Sequence, residues 1–282
     1  MRVATLSRSS LLTKHLHLRA FQPAPFSTTR KMSKFTINST QRMPSGYDIP
    51  ILGFGVYQTP AAQAADVVSH AIKTGYRHVD SAVAYRNEAG SADGIKKSGV
   101  PREQVFFTTK IPPKDLGYET AKQHIENSLK ETGFNYIDLY LIHAPYGGKE
   151  ARIGAWKALV EAVKAGKIRS IGVSNYGIHH MEELQQWIKE TEEEKGEGAG
   201  GVLSVNQVEL HPWLARKELA DWCKAHGVVI QAYCPVVRAT KVDDPLLVPL
   251  AKKYGKTTSQ ILLRWSLQMV SPNKDARVLY YA

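Results

Sequence analysis

One pattern governs what this chain can fold into. From residue 51 to residue 268, strand-like and helix-like runs alternate without a break. The strand-like runs are Ile51–Tyr57, His78–Ala82, Val105–Lys110, Ile137–His143, Ser170–Ser174, Leu203–Leu210 and Val228–Tyr233. Between them, apolar spacing predicts helices over Ala61–Thr74, Glu88–Lys97, Tyr118–Thr132, Ala151–Ala165, Ile178–Glu194 and Ala215–His226, with Gly75, Gly133 and Gly166 as stops. A last helical stretch, Leu246–Gln268, breaks near Gly255. Strict alternation with helical crossovers implies a parallel sheet. Seven or eight such units in 282 residues favour a closed (β/α)8 barrel over an open doubly wound sheet. No Gly-x-Gly-x-x-Gly follows any strand, so the usual signature of the open dinucleotide-binding sheet is missing. Ahead of the repeat, residues 35–50 read as a hairpin: Phe35–Asn38, a turn at Pro44-Ser45-Gly46, then Tyr47–Pro50. The glycine-rich Lys195–Gly201 reads as a flexible loop.

Charge needs to be located before it is interpreted. The net charge is +11, but residues 1–47 hold eight basic residues and no acid, leaving +3 for the rest. A nearly neutral body removes the case for nucleic-acid recognition. The basic, hydroxylated, acid-free start has the composition of a mitochondrial transit peptide over residues 1–31. The alternative is a cytoplasmic protein that starts at Met32. No apolar run is long enough to cross a membrane. The two cysteines, Cys223 and Cys234, form no disulfide framework or metal spacing, which suits a reducing compartment. His179 and His180 are adjacent on a helix and read as surface residues, so no metal is expected.

Polar residues close the strands at a nearly fixed interval. Asp80, Lys110, His143, Asn175, Gln207 and Tyr233 lie 30, 33, 32, 32 and 26 residues apart, one βα unit each. Singly, a strand-end Asn is usually a helix cap and a strand-end Lys is usually solvated. In a barrel, however, all strand ends meet on the face where such folds place their sites. Tyr85, five residues after Asp80, joins them. Neither a Ser–His–Asp order nor a supported Cys–His pair exists, so the set is a phenol, an ammonium, a carboxylate and an imidazole. A nearby lysine is expected to lower the phenol's pKa, and the carboxylate to hold that lysine charged. Such a set suits protonation of a carbonyl oxygen while a hydride reaches the carbon. No side chain supplies a hydride, which implies a nicotinamide cofactor.

The chain resembles the aldo-keto reductase family. The resemblance rests on Gly75–Ala82 with Tyr85 and Asn87-Glu88, Thr108–Ile111, Leu141–His143, Gly166–Tyr176, Asn206–Pro212 and Ala232–Pro235. It implies a barrel capped by an N-terminal hairpin and an NADP-dependent oxidoreductase of the alcohol dehydrogenase (NADP+) type. Tyr85 would be the proton donor, tuned by Lys110 and Asp80, with His143 orienting the substrate carbonyl. Ser174, Asn175 and Gln207 would hold the carboxamide of NADPH, Tyr233 would stack on its ring, and Cys234 and Pro235 would border it. Val56 and Tyr57 would line the substrate pocket. A monomer acting on a small carbonyl compound is the expectation, without nucleic-acid or membrane partners.

The chain departs from the family's pattern slightly at Cys234, where Ser is commoner, and more strongly in two other places. Where a Trp often follows the catalytic His, this chain has Ala144-Pro145-Tyr146-Gly147-Gly148, which predicts a more open pocket. The motifs also stop after Gln268: no Ile-Pro-Lys-Ser motif follows, and Lys274 and Arg277 do not replace it. The eighth βα unit is therefore expected to be incomplete or missing, with a disordered or misplaced tail. A substitute strand over Arg277–Tyr281 is the alternative. Losing the loop after the eighth strand would weaken the phosphate site and leave NADPH against NADH open. Arg238 and Lys241 read as a solvated loop, the alternative being partial compensation for the phosphate site. A catalytically silent, truncated barrel that binds cofactor or partners weakly is the competing functional reading.

Overall fold

The computed structural model describes residues 35–269 and 278–281. The transit-peptide reading, the alternative start at Met32, and Lys274 and Arg277 all lie outside the described residues.

Thr40–Arg42 (β1) and Asp48–Pro50 (β2) pair antiparallel, with Gln41 opposite Ile49. The turn falls at the expected Pro44–Gly46, where Gly46 N–H donates to the Met43 carbonyl at 3.0 Å. The first strand, however, begins at Thr40 and not at Phe35. Residues 36–39 form their own turn instead: Ser39 N–H donates to the Thr36 carbonyl, and Thr36 N–H donates to Ser39 Oγ at 2.9 Å. Short hydroxylated side chains compete with strand pairing in this way.

The parallel strands are Leu52–Gly55 (β3), His78–Asp80 (β4), Phe106–Ile111 (β5), Ile137–Ile142 (β6), Ile168–Ser174 (β7), Leu203–Glu209 (β8) and Val229–Tyr233 (β9). The helices between them are Ala61–Lys73 (α1), Glu88–Ser98 (α2), Tyr118–Thr132 (α3), Gly148–Lys164 (α4), Ile178–Lys195 (α5) and Lys217–Ala225 (α6). Leu247–Tyr254 (α7) and Thr258–Met269 (α8) follow β9, divided at Gly255 with its φ of +60°. Strands β3 to β9 pair in sequence order as a curled sheet. Val278–Tyr281 (β10) then pairs in parallel with both edges: Tyr280 and Tyr281 with Leu52 and Gly53, and Val278–Tyr280 with Ile230–Ala232. Residues 278–281 are thus a substitute eighth strand and are not misplaced. Two sheet edges with unpaired backbone groups are the physical reason. Among the described residues no helix follows β10.

Both faces of these strands are covered, so β5 and β6 are buried at every residue. Side chains still alternate. Phe106, Leu139, Leu141, Val205 and Val229 point into the barrel, where they meet Met43, Ile49 and Ile51. The hairpin thereby plugs the lower end with apolar groups. Phe107, Ile111, Tyr140 and Ile142 point outward into the larger core beneath the helices. Counting in steps of two up each strand carries the inward face from this plug to Lys110 on β5, His143 after β6, Gln207 on β8 and Tyr233 on β9. At Gly172 a side chain has no room: a Cβ would lie 2.5 Å from the Val205 carbonyl oxygen and 2.9 Å from Leu141. The Lys195–Gly201 loop is tied down by Trp156 Nε1, which donates to the Gly200 carbonyl at 2.9 Å. That bond anchors a segment whose composition alone suggested flexibility.

Candidate active site

Four side chains meet at the upper end of the barrel interior. Asp80 closes β4, Lys110 lies one residue before the end of β5, and His143 follows β6. Tyr85 ends a short 3-10 turn, Val83–Tyr85. Lys110 Nζ donates to Asp80 Oδ1 at 2.5 Å and to the Ser81 carbonyl at 2.6 Å. The lysine side chain is 0% exposed. Its nitrogen is 5.1 Å from the centre of the Tyr85 ring. The Tyr85 hydroxyl lies 3.5 Å from His143 Nε2, with the rings edge-on.

The electrostatics differ from the expectation in one respect. Burial raises the Tyr85 pKa, Lys110 pulls it down, and burial wins, so the phenol holds its proton above the usual range. Burial also disfavours charge on Lys110, but Asp80 and Tyr85 outweigh it and the ammonium is held firmly. Burial, with Lys110 adding to it, pushes His143 down to about 3. Its imidazole is therefore neutral at physiological pH. His143 Nδ1 is buried with no hydrogen-bond partner. An orphaned N–H there would be costly, so the cheaper tautomer carries its proton on Nε2, facing Tyr85.

His78, buried beneath Asp80 with its Nε2 2.9 Å from Thr108 Oγ1, is also pushed down to about 3, by burial first. Both histidines bind fewer protons folded than unfolded between about pH 3 and 6.5. Their stabilising contribution is complete above 6.5 and is lost as pH falls. Lowering the pH from 7 to 5 is expected to cost up to about 2 kcal/mol each, less for His143, which opens on the cavity. Glu88 offsets part of this, because burial raises its carboxyl. A urea midpoint that does not fall between pH 7 and 5 would contradict this assignment.

A cavity of about 490 Å³ opens above these groups, bordered by Tyr57, Asp80, Tyr85, His143, Ser174, Asn175, Gln207, Tyr233, Cys234 and Pro235 among others. Ser174 and Gln207 are register partners, and Ser174 Oγ donates to the Gln207 carbonyl at 2.9 Å. Asn175, at φ +60°, donates from Nδ2 to the His143 carbonyl at 3.0 Å and accepts from the Tyr233 hydroxyl at 2.9 Å. Gln207 Nε2 donates to Asp80 Oδ2 at 3.0 Å and to Gln231 Oε1 at 2.8 Å. The carboxylate that holds Lys110 therefore also holds Gln207.

Val56 is not brought to the cavity. Gly55 and Tyr57 border it, so the residue between them faces the other way. Val56 is fully buried in the outer core, and its carbonyl accepts from Asn87 Nδ2 at 2.9 Å. Arg238 borders the cavity, with its guanidinium 6.0 Å from the Tyr57 ring, whereas Lys241 lies over Trp213. Ala144 is buried, and Tyr146 is 59% exposed and outside the cavity lining, consistent with an open mouth beside His143. His179 and His180 approach more closely than adjacency suggested, with Nε2 atoms 3.1 Å apart. No group of three metal-ligating side chains forms among the described residues. Gln231 falls outside the strand-end set. Its position two residues before Tyr233, on the same face of β9, is the signal that marks it.

Known proteins resemble the chain along most of its length. The model of the Aldo/keto reductase family matches residues 52–279, running into β10. The chain is 42% identical over 234 residues to glyoxal reductase of Bacillus subtilis, covering 83% of this chain and 80% of the relative. It is 40% identical over 237 residues to 9,11-endoperoxide prostaglandin H2 reductase of Trypanosoma cruzi, covering 83% and 77%. A solved aldo/keto reductase of Brucella melitensis superposes with a TM-score of 0.75 at 36% identity, covering 86% and 87%.

Proposed function

The chain belongs to the aldo/keto reductase family, and from that premise we propose that it reduces an aldehyde or ketone to an alcohol with NADPH. The observation that carries this reading is the Tyr85 hydroxyl, 3.5 Å from a neutral His143 and backed by a buried Lys110–Asp80 pair. NADPH, when bound, would supply the hydride for the carbonyl carbon. The residues of the chain handle binding and the proton. Ser174, Asn175 and Gln207 offer polar groups suited to a carboxamide on one side of the cavity, and Tyr233 offers an aromatic ring beside them. His143 donates from Nε2 to the substrate oxygen and orients it toward Tyr85. Tyr85 passes its proton to that oxygen, and Lys110 stabilises the phenolate left behind. Asp80 keeps Lys110 charged and in place.

A proton donor must hold its proton at rest, and burial of Tyr85 ensures this. For the reductive direction, kcat/KM is therefore expected to be flat between about pH 6 and 9 and to fall only in the alkaline range, as Tyr85 ionises. A fall centred near neutrality would assign the proton to another group.

The direct test is carbonyl-dependent oxidation of NADPH by the purified chain, followed by absorbance and repeated with NADH. Short α-dicarbonyls come first in the panel, prompted by the relative named glyoxal reductase, then sugars and aliphatic aldehydes. Cofactor binding without turnover on any of them would favour the catalytically silent barrel.

A further inference from the structure

The structure assigns a role to Gln231: we infer that it is a positioning residue that fixes the amide of Gln207 and so shapes the nicotinamide seat. Gln231 is wholly buried on the inward face of β9 and is the direct register partner of Gln207 on β8. Ser174, Gln207 and Gln231 thus form one row across three neighbouring strands. The orientation of the two amides follows from charge. Asp80, paired with Lys110, can only accept, so Gln207 must turn Nε2 toward it. Gln231 must then present its carbonyl to the same nitrogen, as it does at 2.8 Å. With both Nε2 hydrogens used inward, Gln207 Oε1 takes part in neither bond and is the atom offered to a carboxamide N–H in the cavity. Gln231 therefore acts on the cofactor through Gln207, without contact of its own.

This inference rests on the proposed use of a nicotinamide cofactor. The test is NADPH binding, followed by nicotinamide fluorescence, in the intact chain and in Q231M, Q231E, Q207M and Q207M/Q231M. Q231M, of similar shape but without the acceptor, is expected to raise Kd about tenfold. Q231E, kept neutral by burial and by nearby Asp80, retains an acceptor carbonyl oxygen at the same reach and is expected to stay within about threefold of the parent. If Gln231 works only through Gln207, adding Q231M to Q207M causes no further loss. Additive losses in the double variant, or equal losses in Q231M and Q231E, would mean that Gln231 merely fills space and would overturn the inference. So would an unchanged Kd in Q231M. Failure of the parent chain to bind NADPH would instead overturn the functional reading, and the inference with it.

Discussion

Replacing Tyr85 by phenylalanine is expected to lower kcat/KM for carbonyl reduction about 10³-fold while NADPH affinity stays within about twofold. The change removes one oxygen from a ring that touches Tyr57 at a tilt and His143 edge-on, so the aromatic contacts persist. On the proposed mechanism, what disappears is the proton that reaches the substrate oxygen in the transition state, an interaction with no counterpart in cofactor binding. The split between the two measurements carries the meaning. Equal losses in turnover and in NADPH affinity would show that Tyr85 shapes the site and does not act in the reaction.

Asp80→Ala is expected to cost about 3–5 kcal/mol of stability at pH 7, read as a lower urea midpoint. Lys110 has no exposed surface and keeps its charge through Asp80 Oδ1, with the Ser81 carbonyl as second acceptor. Without the carboxylate, an ammonium stays buried without its counter-charge, and Gln207 loses an acceptor as well. The double variant D80A/K110M separates the causes. Removing the stranded charge is expected to recover much of the loss, since replacing both members of a buried pair is far milder than removing one. If D80A and D80A/K110M are equally unstable, the loss comes from the cavity and not from the charge. Reduction is expected to fail in D80A/K110M, because Tyr85 then lacks the cation that favours its phenolate.

The fold was readable from the sequence wherever repetition constrained it. Tyr118–Thr132 is helical to the residue because Gly133, at φ +65°, stops it as expected. Asp80, Lys110, His143, Gln207 and Tyr233 converge because each ends one unit of the same repeat. What escaped depends on geometry finer than that repeat. Val56 and Tyr57 are neighbours in sequence, and only the pleat decides which of them faces the cavity. The Tyr85 pKa is a contest between burial and Lys110, and residue types reveal the second but not the first. Gln231 lies one pleat below the strand end and gains meaning only from its register with Gln207. The tail sequence matches no motif, yet it pairs through backbone groups that any sequence carries.

The strand pairing also divides the barrel mechanically. From β5 to β9, each junction joins four or five register pairs. Around β10, β3 and β4, each junction joins only two or three. Ser174, Gln207 and Tyr233 stand on the stiff arc, while Tyr57, Asp80 and Tyr85 belong to the soft one. Amide hydrogen exchange should therefore begin in the soft arc, where fewer bonds must open together. A molecule held between Tyr233 and Tyr85 would span both arcs and brace the weaker against the stronger. On this architecture, the occupied site is itself a structural member of the barrel.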